Sequence, residues 1–207
     1  MKSIIYVYLV LVTASVFGQS PAGFIEEAKT FQEELNATYM NPDSTILSKR
    51  QLKKFSGLKF YPIDLKFRVS ATFKRTQNAI PFQMELSSGR TREYVQYGLL
   101  TFELEEQQFE LPIYQNTYYR DHPEEEYGNS LFLPFTDYTS GDGSYGGGRY
   151  IDFVIEDIED NHLLIDFNRA YNPYCAYTTG YNCPIPPEAN DLKFRIEAGV
   201  KDFDGKY

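Results

Sequence analysis

The sequence predicts a mainly β protein, either an antiparallel β-sandwich or a partly open barrel, with one or two short N-terminal helices. Apolar and polar residues alternate strictly from Leu65 to Lys74, which is the pattern of a half-buried strand. Shorter alternating segments recur further along and are mostly separated by short polar turns. Before Ile63, apolar residues recur instead at the three- and four-residue spacing of a helix. Strands joined through short turns favour antiparallel pairing.

The first predicted helix begins at Ser20-Pro21, where serine can cap free amide groups and proline suits the first turn. One apolar stripe runs along it through Phe24, Ala28, Phe31 and Leu35. We expect it to end near Thr38. A second short helix is predicted between Ser44 and Phe55.

Seven strands are predicted after these helices, from alternating apolar residues in 65–73, 80–86, 100–104, 109–113, 151–155, 163–167 and 192–198. The polar link at residues 105–108 predicts a hairpin between the third and fourth strands. The acidic turn at residues 156–161 predicts another hairpin between the fifth and sixth.

Composition and charge limit the function. The chain has 207 residues, 20 of them lysine or arginine and 29 aspartate or glutamate, which gives a net charge of −9. This acidic surplus repels phosphate backbones and excludes nucleic acid as a partner. The hydrophobic fraction of 42% is typical of a globular protein. We predict a single β-rich domain over residues 19–207, with no cofactor.

The N-terminus has the organisation of a secretory signal peptide. Lys2 precedes an apolar run over residues 4–17, and small residues at Val16 and Gly18 suit cleavage after Gly18. The run is shorter than the ~20 residues that a membrane-spanning helix needs. We expect residues 1–18 to be removed from an exported protein, periplasmic or secreted, that keeps no stable membrane span.

Export suggests how the two cysteines are used. Cys175 and Cys183 are eight positions apart, and in an oxidising compartment a disulfide is the favoured interpretation. The alternatives are a metal site or a nucleophilic thiol. The chain has two histidines, His122 and His162, and neither has ligand-like spacing to the cysteines, so no metal site is predicted.

Five glycines occupy residues 140–148 and lead into a predicted strand that begins at Arg149. The glycines fit neither a Walker loop nor a nucleophile elbow, and the simplest interpretation is a tight turn. Arg149 falls on the same strand face as Ile151, the core face. A buried charge is costly unless it is paired. Arg149 is therefore either in an ion pair with Asp137 or Asp166, or recognises an anion at the mouth of a pocket.

Residues 166–190 form the second candidate segment. Asp166 and Asn168 are two apart and are predicted to share a strand face, with several tyrosines following. Polar side chains beside tyrosine rings are typical of sites for sugars or small polar ligands. The predicted ligand-binding residues are Tyr145, Arg149, Asp166, Asn168, Tyr171 and Asn172. The alternative is an ordered loop, stapled by the cysteines, whose side chains bond their own backbone.

Several motifs in the second half of the chain identify a family resemblance. They are YGGGRYID at residues 145–152, DFNRAYNP at 166–173, CAY at 175–177 and CPIPP at 183–187. Together with Gly57-Leu58, Phe60 and Pro62-Ile63-Asp64, they resemble the bacterial and archaeal domain of unknown function DUF1684 over about residues 45–200. The resemblance implies no established activity, substrate or cofactor, and so no catalytic residue to transfer. Ser144 stands where the family pattern has threonine, and Val200 where many members have glutamate.

Three functions remain open from the sequence. The first is an exported, non-enzymatic domain that binds a small polar or anionic ligand or a glycan. The second is a hydrolase of a saccharide or an ester, with Asp137 and Asp166 as candidate acid and base. The third is a purely structural role for these residues. The sequence does not determine the oligomeric state.

Overall fold

The computed structural model describes residues 20–205, so the predicted signal peptide lies outside the described residues. The described helices are α1 (Pro21–Met40), α2 (Lys49–Leu52) and α3 (Thr117–Asp121). The described strands are β1 (Arg68–Arg75), β2 (Phe82–Glu85), β3 (Thr91–Leu104), β4 (Gln107–Asn116), β5 (Ser130–Phe135), β6 (Arg149–Val154) and β7 (His162–Asp166). Within residues 20–205, every helix is too short or too polar to cross a bilayer.

One antiparallel sheet contains the seven described strands in the order β6-β5-β4-β3-β1-β7, with β2 paired to β3. The sheet curls into a half-barrel, which confirms the partly open barrel as the correct one of the two predicted architectures. β6 pairs with β5 and β7 with β1, so the predicted hairpin across residues 156–161 is wrong. Residues 155–161 instead connect the two edges of the sheet, and they include a compact 3₁₀ turn at Ile155–Asp157. A connection this short is consistent with a strongly curled sheet.

The other predicted hairpin is confirmed. β3 and β4 are joined by Glu105 and Glu106, both at positive φ (47° and 66°). Two consecutive residues of positive φ give the turn whose twist matches that of the flanking strands. The register of the hairpin then places Leu100 opposite Leu111 in the core.

One predicted strand is wrong, and one strand of the sheet is missing from the predictions. β5 was not predicted, because its apolar residues run on with little alternation and include Pro134. Residues 192–198 were predicted as a strand but are irregular. Single backbone bonds hold them to the chain that follows β5, such as Tyr138 N–H to the Phe194 carbonyl at 2.9 Å.

The first helix is confirmed with its predicted cap, since the Ser20 side chain accepts a bond from the Gly23 amide at 3.3 Å. The inner face of the half-barrel forms the main core, around residues such as Leu100, Ile113 and Ile165. A second, smaller core lies beside α1 and α2 and contains Tyr39, Leu47, Leu58, Tyr177 and Val200.

Candidate functional site

Arg149, the central residue of the predicted site, is completely buried at the start of β6. Its Nη2 lies 3.1 Å from Asp137 Oδ1 and also donates to the Ile196 carbonyl at 2.8 Å. Its Nη1 donates to the Ala198 carbonyl, while Nε has no partner among the described residues. Burial lowers the pKa of Arg149, and the charge of Asp137 opposes that change. Arg149 thus forms the ion pair that was one of the two interpretations of its sequence position.

Both carboxylate oxygens of Asp137 are occupied. Oδ1 accepts the Thr139 hydroxyl at 2.9 Å as well as Arg149. Oδ2 accepts the backbone amides of Thr139 at 3.1 Å and Ile196 at 2.8 Å. The Ser140 hydroxyl also donates to Oδ1, at 3.4 Å. A carboxylate that accepts from five donors and is sealed from water cannot take a proton from a substrate.

Asp166 belongs to a separate ion-pair network. Its Oδ2 lies 3.0 Å from Arg68 Nη1, and Arg68 Nη2 reaches Glu27 of α1 at 3.0 Å. Its Oδ1 accepts from the backbone amide of Asn168 at 3.0 Å and from the side-chain amide at 2.9 Å. The strand ends at Asp166 and a 3₁₀ turn follows, so the predicted strand face shared with Asn168 is wrong.

The two predicted asparagines fasten distant segments of chain. Asn168 exchanges two bonds of 3.0 Å with the backbone of Asp64. The Asn172 side-chain amide donates to the Lys201 carbonyl at 3.0 Å. Gly199, at φ +72°, lies close enough to the chain at Ala170 that an added Cβ would meet its carbonyl oxygen at 2.6 Å. The contacts of Asn172 and Gly199, with the bond from the Val200 amide to the Ala170 carbonyl at 2.9 Å, hold residues 199–201 against the 166–172 segment.

The two predicted tyrosines lie nearer the surface. The Tyr171 hydroxyl donates to the carboxylate of Asp152, a residue on the outer face of β6 that sequence reasoning did not select. Part of Asp152 is open to solvent, yet the protein packed around it partly desolvates the carboxylate and raises its pKa, and the bond from Tyr171 acts in the opposite direction. Tyr145 is half-buried, and its ring covers Gly147. The structure therefore does not gather the six predicted residues into one open site.

The predicted disulfide is present between Cys175 and Cys183. Ser87, just after β2, binds the stapled loop through its hydroxyl, 3.1 Å from Cys175 Sγ, and through its amide, 2.8 Å from the Cys183 carbonyl. A depression of about 290 Å³ lies beside the staple, and its side chains carry mainly hydroxyl and amide groups. Next to it, the exposed rings of Tyr174 and Tyr181 pack edge to face at 4.9 Å.

A larger cleft of about 530 Å³ adjoins this depression, and Thr178 lines both. One wall is formed by α2 with residues 54–59, and the opposite wall is residues 200–205. Leu58, Tyr177 and Val200 are buried beneath it and form an apolar floor. The half-buried rings of Phe55 and Phe203 face each other at 6.3 Å between ring centroids. Burial also raises the pKa of the Tyr177 hydroxyl above its usual value.

Local bonds fix the walls of this cleft. Ser48 and Gln51 form a reciprocal capping box at the start of α2, and the Gln51 side chain also donates to the Tyr177 carbonyl at 2.8 Å. The Lys201 amide donates to the Lys59 carbonyl at 2.8 Å, which joins the two walls. The predicted residues thus act indirectly here, because Arg149 and Asn172 hold the segment that makes the second wall.

The rim of the cleft is cationic. Four basic side chains line it, Arg50, Lys54, Lys59 and Lys201, against two acidic ones, Asp202 and Asp204. Lys59 pairs with Asp204 and lowers the pKa of that carboxyl. Sequence reasoning missed this site, although residues 49–59 contain five basic residues and no acidic one in an acidic chain.

No metal centre is formed by the described part of the chain, in which no three histidine, cysteine, aspartate or glutamate side chains come together as ligands. Three open features of the described residues are candidate binding sites: the cationic cleft, the depression beside the disulfide, and a depression of about 500 Å³ between α1 and Arg169. The third has a mainly acidic lining, with Glu26, Glu27 and Glu34.

Comparison with known proteins places the chain in a family. A solution NMR structure of an uncharacterised protein from Haloarcula marismortui is similar to it, with a TM-score of 0.66 and 28% sequence identity, over 87% of this chain and 95% of the other. No curated protein matches. The model of the family described as protein of unknown function (DUF1684) matches residues 53–201. This range includes all the predicted site residues and the cleft lining from Lys54 to Lys201, but neither α2 nor residues 202–205. The chain belongs to the DUF1684 family.

Proposed function

We propose that this protein is an exported, non-enzymatic domain that binds a small ligand in the cleft between α2 and residues 200–205. The observation that carries the proposal is the cleft itself, whose volume of about 530 Å³ lies within the usual range for ligand sites. An apolar floor with a few charged groups at the rim is the usual composition of such a site.

The contacts of the two candidate catalytic carboxylates support a non-enzymatic function. Asp137 is bound to Arg149 and Asp166 to Arg68, and all four side chains are buried or nearly so. An acid–base pair needs access to substrate and an exchangeable proton. These contacts favour a structural role for the four residues, while leaving the cleft as the place for a ligand.

The location is proposed from the N-terminal signal and the cysteines. A Cys175–Cys183 disulfide fits an oxidising compartment, as export would supply. Fractionation of cells that express the full chain, followed by N-terminal sequencing, tests this. We expect a chain that begins at Gln19 outside the cytoplasm; an uncleaved chain in the cytoplasm would contradict export.

A thermal-shift screen of residues 19–207 tests the binding function, with sugars, carboxylates, peptidoglycan fragments and nucleotides as probes. A ligand at 100 times its dissociation constant stabilises by about 2.7 kcal/mol, and each kcal/mol raises Tm by roughly 2–4 °C at this size.

Two blocking variants locate the site. Ser56→Trp fills the cleft and Ser88→Trp fills the depression beside the disulfide, and both serines are exposed. We expect hits to be lost with Ser56→Trp and kept with Ser88→Trp. The reverse pattern would move the site to the disulfide loop, where exposed tyrosines and hydroxyl groups suit a glycan. A screen without hits would leave the structural role.

A further inference from the structure

We infer that the ligand of the cleft is an amphipathic organic anion, a molecule with an apolar body and a single carboxylate head. This inference rests on the proposed function and names the chemical class that the same site selects.

The charge of the cleft lining is opposite in sign to the net charge of the chain. The whole chain carries −9, yet the cleft lining carries a surplus of two positive charges. Clustered charge of one sign in a concave surface raises the local concentration of ligands of the opposite sign. In a protein of this net charge, the local field favours an anion where the average surface repels it.

The basic side chains of the cleft differ in whether they already have a partner. Lys59 is paired with Asp204, and the Lys201 ammonium lies 4.7 Å from the centre of the Tyr61 ring. Arg50 and Lys54 make no ion pair with any residue in the described range 20–205. They stand on the same wall of the cleft, four residues apart.

The floor of the cleft is apolar. Leu58, Tyr177 and Val200 are at most 8% exposed, and the rings of Phe55 and Phe203 flank them. The half-buried rings of Phe55 and Phe203 offer apolar surface against which the hydrocarbon body of a ligand would leave water, with a gain in free energy. The two features together, cations at the rim and hydrocarbon below, match a carboxylate with an apolar tail.

Three probes separate the contributions of head and tail: octanoate has both, octan-1-ol has the tail without the charge, and acetate has the charge without the tail. Titration calorimetry on residues 19–207 is expected to show octanoate binding about fivefold or more tightly than octan-1-ol, with no measurable acetate binding. Raising the salt concentration from 0.05 to 0.5 M, roughly a threefold shorter screening length, should narrow this difference.

Matched variants assign the head group. Lys54→Ala should weaken octanoate several-fold and leave octan-1-ol unchanged. Lys53→Ala removes the adjacent lysine, which is also exposed but does not line the cleft, and should leave both affinities unchanged. Equal loss in the two variants would contradict a specific head-group site.

The outcomes distinguish the two proposals. If octanoate and octan-1-ol bind equally at low salt, the anionic class is wrong while the cleft is still a binding site. If neither binds but Ser56→Trp abolishes binding of another probe from the screen, the ligand class is again wrong and the proposed function holds. If no probe depends on the cleft, both proposals fail.

Discussion

Replacing Asp137 with alanine tests whether the Arg149–Asp137 pair is a structural element of this fold. The substitution leaves the Arg149 guanidinium sealed in the core without its counter-charge, and it also removes acceptors for the amides of Thr139 and Ile196. Breaking a buried pair by removing one partner costs about 3–5 kcal/mol. At roughly 2–4 °C per kcal/mol, the melting temperature should fall by about 6–20 °C.

Urea and thermal unfolding of residues 19–207, followed by circular dichroism, measure this change. Asp142→Ala is the matched control, because Asp142 also pairs with an arginine, Arg195, at 2.9 Å, but its side chain is 81% exposed. We expect no change beyond experimental error for the control. Equal stability of the two variants would refute the assignment of a costly buried charge to Arg149.

A double variant separates the stranded charge from the other lost bonds. Combining Asp137→Ala with Arg149→Met removes both charges, and a buried ion pair replaced by apolar groups is often close to neutral. We expect the double variant to be more stable than Asp137→Ala alone. A double variant that loses the sum of both single effects would show that the pair itself contributes little coupling.

Three further predictions concern the staple, the outer face of β6 and the cleft wall. Replacing Cys175 and Cys183 by alanine opens a loop of about 9 residues and should cost about 2.5 kcal/mol, measured by urea unfolding. Asp152→Asn should raise Tm at pH 7, because the raised pKa means that the folded protein carries the ionised carboxylate at a cost, and the gain should vanish near pH 3. Gly199→Ala should destabilise far more than Gly180→Ala: both positions have positive φ, but only the added Cβ at Gly199 meets neighbouring atoms.

A specific result would contradict each of these three predictions. The disulfide effect should also appear when wild-type protein is unfolded under reducing conditions, and unchanged stability there would contradict it. For Asp152, the benefit of protonation is present below the unfolded pKa of about 3.9 and is lost as pH rises through the folded pKa, so a variant less stable than wild type at pH 7 would reverse the sign. Equal losses for the two glycine variants would show that close packing at Gly199 is unimportant.

The sequence by itself determined the local structure where one periodicity was clear. The alternation in β1, the capped stripe of α1 and the hairpin between β3 and β4 depend on interactions within a few residues, so they can be predicted without the rest of the chain. The inward position of Arg149 followed from the same alternation. The cysteine pair followed from spacing and the expected compartment.

Only the tertiary structure decided which distant residues meet. The sequence could not choose between Asp137 and Asp166 as the partner of Arg149, because both choices are equally compatible with the local pattern. It could not show that β6 and β7 lie at opposite edges, since strand pairing depends on free energies summed over the whole sheet. The cleft could not be predicted from the sequence either. Its walls come from residues 48–59 and 200–205, which are far apart along the chain, and only the packed core between them brings them together.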